Sequence, residues 1–205
     1  MTIRPLIASV TALLAGSLVL AGCAGATGDA PSATTAAPTQ AASAEQTAAL
    51  LAEYGLTGMD AQDMIEHLDR LGGDERPSDL MASIRTDELL LAADGVETTL
   101  EMPEDSFYVS IAPYLTQTHD CFFHSLTTCQ GELVGADVQV TVVDDVTGET
   151  VVDEETTTYE NGFVGLWLPR EMTGTLTVTH DGASVESPIS TTADSATCLT
   201  TLKLA

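Results

Sequence analysis

The chain has 205 residues, 31 of them acidic and only 6 Lys or Arg, which gives a formal net charge of -25 at pH 7. An acidic surface repels a polyanion, so nucleic acid is not expected as a partner. The sequence contains no Gly-rich phosphate loop, Gly-x-Ser-x-Gly elbow or His-Glu-x-x-His pair, which argues against cofactor-dependent and hydrolytic enzymes.

Residues 1–22 have the composition of a lipoprotein signal peptide. Arg4 precedes an apolar stretch that ends at Leu20-Ala21-Gly22-Cys23. This ending resembles the processing box of bacterial lipoproteins, so Cys23 is predicted to carry lipid; an ordinary signal peptide cleaved nearby is the alternative. The protein is therefore expected in the cell envelope, anchored to a membrane through Cys23, facing either a periplasm or the cell exterior.

Residues 23–44 consist mainly of Ala, Thr, Ser, Pro and Gly and contain no aromatic residue. Such a segment cannot bury enough apolar surface to offset the entropy lost on ordering. It is predicted to be a disordered tether between the lipid anchor and the folded part of the chain.

Residues 45–85 are predicted to form a helical N-terminal region. Ser43 and Gln46 form a capping box for a first helix that Gly55 ends, and Asp60 caps a second helix. His67 lies off the apolar stripe of the second helix and is expected to be solvated. That stripe consists of Met64, Ile65, Leu68 and Leu71.

From about residue 86 the apolar residues alternate with a period of two, and turn signals arrive at short intervals. The segment 80–84 is either one more helical turn or the start of a strand. Among the turns, Asn161-Gly162 is the strongest hairpin signal. The predicted strands cover 88–92, 96–102, 107–111, 138–143, 163–168 and 197–204, with others near 151–152 and 176–178.

These elements predict an α+β, mainly β fold: the short helical region followed, over residues 86–205, by an antiparallel β-sandwich that is immunoglobulin-like or transthyretin-like. The last strand is predicted to place Cys198 on the same apolar face as Leu202. A long connection over residues 113–135 is expected to carry the functional site, because such folds bear their sites on loops.

Three cysteines remain after Cys23, namely Cys121, Cys129 and Cys198, and an odd number of thiols cannot all form internal disulfides. The segment around the first two also contains His119 and His124. Thiolates are soft ligands that select Cu(I), zinc or iron–sulfur clusters. Three thiolates suit Cu(I), whereas structural zinc would need a fourth ligand, for which His119 or His124 is the candidate.

Other interpretations of the cysteines stay open at this stage. Cys121 and Cys129 could form a disulfide in a purely structural lipoprotein, with Cys198 an inert buried thiol and the histidines solvated. A thiol–disulfide redox protein is a further alternative, although no Lys or Arg lies between Arg85 and Arg170 to activate a thiol. His180, next to the Asp181-Gly182 turn, is expected at the surface.

Four segments of the chain, 107–115, 118–133, 161–170 and 197–202, match a known family. In them the chain resembles the CueP family of periplasmic copper-binding proteins. The resemblance implies a non-enzymatic protein that holds Cu(I) through Cys121, Cys129 and Cys198. It further implies copper tolerance, supply of copper to an exported cuproenzyme as acceptor, and thiol-dependent reduction of Cu(II). The lipid anchor and tether depart from a freely diffusing carrier, and the oligomeric state, a homodimer included, is left open.

Overall fold

The computed structural model describes residues 42–205, so the predicted signal peptide, Cys23 and most of the predicted tether lie outside the described residues. Two helices come first, α1 at Ala44–Glu53 and α2 at Ala61–Asp69. Within residues 42–205, no helix is long and apolar enough to cross a membrane. The capping box is confirmed, since the Gln46 amide donates to the Ser43 hydroxyl and the Ser43 amide donates to the Gln46 side chain.

Ten strands follow in the described part of the chain, arranged in three sheets. The first sheet has the order β1-β2-β3, the second β10-β4-β7 and the third β6-β5-β8-β9. The predicted α+β, mainly β class is confirmed. The strands are β1 Met81–Ile84, β2 Glu88–Ala93, β3 Val96–Glu101, β4 Ser106–Tyr114, β5 Asp137–Asp144, β6 Thr150–Thr157, β7 Val164–Pro169, β8 Thr173–His180, β9 Ala183–Ser190 and β10 Cys198–Lys203.

The first sheet packs with the two helices around its own apolar core. The ambiguous segment 80–84 is largely strand β1, which pairs antiparallel with β2. The turn between β2 and β3 has positive φ at both Asp94 (49°) and Gly95 (78°), as the Asp-Gly signal predicts. The core consists mainly of Leu50, Leu56, Met64, Ile65, Leu68, Leu80, Ile84, Leu89 and Leu91, with Tyr108 and Leu126 from further along the chain.

The second and third sheets form the β-sandwich. Valines from β5 and β8 interdigitate with apolar residues of β4 and β7, as the period of two predicts. Strand β4 is buried on both faces. Phe107, Val109 and Ile111 point into the sandwich, whereas Tyr108 and Ser110 point to the opposite side, towards α2. That opposite side of the second sheet is where the cysteines lie.

Strand β10 pairs with β4 in parallel. The prediction of an antiparallel sandwich is therefore wrong for this pair of strands. Cys198 lies opposite Ser110 in this pairing, and the register is irregular between Leu199 and Leu202. Leu202 therefore packs in the sandwich core while Cys198 belongs to a separate small cluster. The predicted burial of Cys198 is correct, but the predicted sharing of one apolar face with Leu202 is wrong because of this irregularity.

The Asn161-Gly162 turn is not a hairpin, so that prediction is wrong. Strands β6 and β7, which it connects, belong to different sheets. Gly162 does have the positive φ that the signal requires, at 81°. Glycine is also required at position 162 for steric reasons, because a Cβ there would lie 2.7 Å from the carbonyl oxygen of Gly131. The turn thus presses against the long connection that carries two of the cysteines.

Candidate metal centre

Three sulfur atoms meet on the outer side of the second sheet. Cys198 is the first residue of β10, and Cys121 and Cys129 lie on the long connection between β4 and β5. The Sγ atoms of Cys121 and Cys129 are 3.4 Å apart, and the Cys198 and Cys129 sulfurs belong to one group of donor atoms within 4.8 Å of one another. All three are free thiols, so the structure contains no Cys121–Cys129 disulfide.

Backbone hydrogen bonds fasten the connection to its neighbours. The Ile84 amide at the end of β1 donates to the His124 carbonyl at 2.8 Å. The Thr197 amide, just before β10, donates to the Phe122 carbonyl at 2.9 Å. The segment that carries the cysteines is therefore held between the first sheet and the last strand, which brings Cys121 next to Cys198.

Two charged side chains fix the connection further along. The Arg76 guanidinium donates to the Leu126 and Cys129 carbonyls, each at 2.7 Å. The carboxylate of the partly exposed Glu132 accepts hydrogen bonds from the Leu115 amide at 2.6 Å and from the Thr116 amide and hydroxyl. These hydrogen bonds lower the pKa of Glu132 to about 2. Arg76 also places a positive charge beside Cys129, a charge that the sequence alone did not predict.

His124 is completely buried and lies between the sulfurs and a carboxylate. Its Nδ1 is 3.5 Å from Cys198 Sγ, and its Nε2 is 2.7 Å from Asp69 Oδ1. Burial lowers the pKa of His124, but Asp69 outweighs this and holds the pKa well above its ordinary value. A carboxylate on the far nitrogen is the usual support of a metal-binding histidine, because it fixes the ring so that the other nitrogen faces the metal.

Asp69, at the end of α2, is the buried anchor of this arrangement. Its carboxylate accepts from Tyr108 at 2.6 Å, Ser110 at 2.9 Å and the Asn161 side chain at 2.8 Å, in addition to its contact with His124. Burial raises the pKa of Asp69, but the charge of His124 and these hydrogen bonds lower it below the ordinary value. The carboxylate is thus ionised and fully hydrogen-bonded inside the protein.

His119 approaches the sulfurs from the solvent side. One of its ring nitrogens lies within 4.8 Å of the Cys121 and Cys129 sulfurs. Its Nε2 is buried and has no hydrogen-bond partner. The rings of His119 and His124 both contact the buried Phe163, with centroid distances of 6.3 and 4.6 Å. Phe163 therefore forms the apolar floor beneath both imidazoles.

Cys129 occupies the centre of the cluster. Contacts with Cys121, Cys198 and His124 lower the pKa of the Cys129 thiol. The pKa of Cys198 is raised, because it shares the site with Cys121 and with the Cys129 thiolate and is buried. The Ser125 amide also points at Cys129 Sγ, at 3.4 Å. Cys129 is thus the sulfur around which the other donors are grouped.

The spacing of the donor atoms fits a soft metal ion. Metal–thiolate bonds of about 2.3 Å in a trigonal plane place the sulfurs about 4.0 Å apart. The separations of 3.4 Å and within 4.8 Å bracket that value. The structure therefore brings together all five predicted donors, namely Cys121, Cys129, Cys198, His119 and His124.

The other histidines lie elsewhere, as expected. His67 is exposed on α2, and His180 contacts the Asp137 carbonyl on the third sheet at 2.8 Å. Sequence reasoning missed Asp69 and Asn161, although one signal was present: Asp69 follows Ile65 by four residues, on the apolar stripe of α2. An acidic residue at such a position needs a buried partner.

A β-sandwich that gathers three cysteine sulfurs and two imidazoles in one site defines a metal-binding protein selective for soft ions. The chain belongs to the CueP family, whose profile, described as "Periplasmic copper-binding protein CueP", matches residues 63–203. A solved structure described as "Crystal Structure of S.CueP" is similar, with 42% sequence identity, a TM-score of 0.74, and coverage of 81% of this chain and 100% of that chain. Among curated proteins there is no significant match.

The family resemblance seen in the sequence is thereby confirmed. The CueP family is a periplasmic, copper-binding family and not a known enzyme family. The family binds copper, and the cysteine cluster contains groups of donor atoms that could hold a metal ion.

Proposed function

We propose that this protein holds one Cu(I) ion in the cell envelope through the thiolates of Cys121, Cys129 and Cys198. The observation that carries the proposal is the convergence of these three sulfurs, two from the connection and one from β10. Thiolates are preferred ligands of Cu(I), and the lowered pKa of Cys129, caused mainly by its contacts with Cys121 and Cys198, makes the proton of this thiol easier for the ion to displace. Burial of the cluster keeps the ion away from water and oxidants.

The role that follows is copper buffering and tolerance, with supply of copper to exported cuproenzymes. The acidic surface, with a net charge of -25, attracts cations diffusely towards the protein. Release to an acceptor proceeds by thiolate exchange, in which an acceptor sulfur replaces one cysteine at a time.

A stoichiometric reduction of Cu(II) is part of this proposal, because Cys121 and Cys129 have their sulfurs 3.4 Å apart. Two Cu(II) ions each take one electron and become Cu(I). The two thiolates together lose those two electrons and form a disulfide. The reaction stops after one round unless an external dithiol reduces the disulfide.

A thiol count tests the copper site. In the chain with Cys23→Ser, purified anaerobically without added reductant, we expect three titratable thiols, all of which one equivalent of Cu(I) protects from reagent. The same protein should take Cu(I) from a coloured Cu(I)–chelator complex. A single titratable thiol would favour the structural disulfide, and three thiols that exchange with disulfides but ignore Cu(I) would favour the redox protein. Either result would contradict the proposal.

We also propose that lipid on Cys23 anchors the protein to a membrane, with residues 23–44 as the tether. Export of the wild-type chain is expected to place it in the membrane fraction, from which detergent but not high salt releases it. Cys23→Ala should move it to the soluble envelope fraction with its copper binding unchanged. Recovery of the wild-type chain in the soluble fraction would show that an ordinary signal peptide is cleaved instead.

A further inference from the structure

The donor atoms fall into two overlapping sets. An outer set consists of His119, Cys121 and Cys129, an inner set consists of His124, Cys129 and Cys198, and within each set the donor atoms lie within 4.8 Å of one another. We propose that the two sets are successive positions of one Cu(I) ion, which is received at the outer set and retained on the inner side. This inference rests on the proposed function and adds a loading route to it.

Cys129 makes such a route continuous. It is the one residue common to the two sets among the described residues. An ion bound to Cys129 can therefore move from one set to the other without losing that sulfur. In the exchange, the bond from copper to His119 nitrogen breaks as the bonds to Cys198 sulfur and His124 Nδ1 form, and the protons of these two atoms pass to water. Copper stays Cu(I) throughout.

The difference in burial between the two sets determines which of them the ion reaches first. His124 and Cys198 have exposed fractions of 0% and 1%, whereas Cys121 and His119 are both partly exposed. A cavity of about 270 Å³ is lined by polar residues next to His119 and Cys129 in the chain, including Gln117, Thr118 and Gln130. A copper donor thus reaches the outer set first, and the inner donors are shielded from solvent.

The two imidazoles are held differently, and this difference also indicates that the outer set receives the ion and the inner set retains it. The Nε2 of His124 is fixed by Asp69 at 2.7 Å, so this ring is a permanent part of the site. The Nε2 of His119 is buried and has no partner, and one nitrogen of this ring lies within 4.8 Å of the Cys121 and Cys129 sulfurs. A ring that has an unpartnered nitrogen and lies beside two sulfurs is available to bind an ion and to release it again, as a receiving ligand must.

Loading kinetics test the inference. Cu(I) is presented as its coloured chelator complex to the exported chain carrying Cys23→Ser, and transfer is followed by the loss of colour in a stopped-flow instrument. In His119→Ala the loading rate is expected to fall by about tenfold or more, because a positioned donor makes capture an intramolecular exchange. The fold decrease in the loading rate of His119→Ala should be larger than the fold decrease in its equilibrium affinity for Cu(I). His67→Ala, an exposed histidine of α2, is the matched control and should load at the wild-type rate.

X-ray absorption of bound Cu(I) provides a second measurement. Wild-type protein is expected to show sulfur ligands together with one imidazole nitrogen, that of His124, which His119→Ala leaves in place. Cys198→Ser should trap the ion in the outer set, with two sulfurs and one imidazole nitrogen, and the nitrogen should disappear in Cys198→Ser with His119→Ala. Loading of His119→Ala at the wild-type rate, or a Cys198→Ser spectrum that His119→Ala leaves unchanged, would overturn the inference alone. Failure of the wild-type chain to take Cu(I) would instead overturn the proposed function.

Discussion

Replacement of Cys129 by serine is expected to abolish tight Cu(I) binding more completely than replacement of either other cysteine. Cys129 belongs to both donor sets, so its loss leaves no set with two sulfurs and an imidazole. Loss of a residue that only supports a metal ligand lowers metal affinity by up to about 100-fold. Cys129 is itself a proposed ligand, so we expect its replacement to lower the Cu(I) affinity by more than about 100-fold. Competition with a Cu(I) chelator measures the affinity.

Cys121→Ser and Cys198→Ser are the matched controls for this prediction. Each leaves one complete donor set, so each should keep a weaker but measurable Cu(I) affinity. The fold should survive in Cys129→Ser, because the serine hydroxyl can accept the hydrogen bond that the Ser125 amide now donates to Cys129 Sγ. Thermal unfolding without copper checks this point. Equal affinities for the three variants would show that no cysteine is shared.

The local structure could be predicted because it depends on neighbouring residues. The capping box at Ser43, the alternating valines of β5 and the Asp94-Gly95 turn each follow from the conformational preferences of a few adjacent residues. Most elements therefore lie on their predicted ranges, although β4 and β6 extend well beyond theirs and no range was predicted for β9. Their pairing is a different matter, because contacts between distant strands leave no period in the sequence.

The parallel pairing of β10 with β4 is the clearest example. It sets Cys198 opposite Ser110 and so beside the connection that carries Cys121 and Cys129. Nothing in the local pattern of residues 197–204 distinguishes a parallel from an antiparallel partner. The meeting of the sulfurs could be expected only from the odd number of thiols and from the family resemblance.

Asn161 shows how a correct local signal can mislead about the architecture. Asn-Gly has the backbone conformation that the signal predicts, yet the side chain is completely buried and donates to Asp69 at 2.8 Å. Asn is thus present because Asp69 needs a donor as well as because the chain turns. The sequence pattern cannot separate these two reasons.

Asp69 itself is expected to be the most sensitive position outside the donors. Asp69→Ala leaves the buried His124, Asn161 and Tyr108 without their common acceptor, and removal of one partner of a buried ion pair costs about 3–5 kcal/mol. Urea unfolding of the metal-free protein measures this loss. Asp63→Asn, an exposed acid on the same helix, is the control and should cost less than about 0.5 kcal/mol.

The loss should also depend on pH. The pKa of Asp69 lies below its ordinary value of 3.8, so its contribution is present above that pH and is lost as the pH falls through the lowered pKa. The pKa of His124 lies well above 6.5, so its contribution is present below that pH and is lost as the pH rises through the raised pKa. The difference between wild type and Asp69→Asn should therefore be largest between about pH 4 and pH 6.5.

Asp69 makes no contact with the sulfurs, so any effect on copper must act through His124. Asp69→Asn removes the charge that raises the pKa of His124, so ¹⁵N shifts of the ring should report loss of its charge at a lower pH than in wild type, with the remaining proton shared between Nε2 and Nδ1, the nitrogen that faces Cys198. Cu(I) affinity should fall by about 10- to 100-fold, as for other carboxylates that support a metal-binding histidine. In a double-mutant cycle, Asp69→Asn should add little to the loss already caused by His124→Ala, because both changes remove the same oriented imidazole. Additive losses would instead mean that Asp69 stabilises the fold without orienting His124.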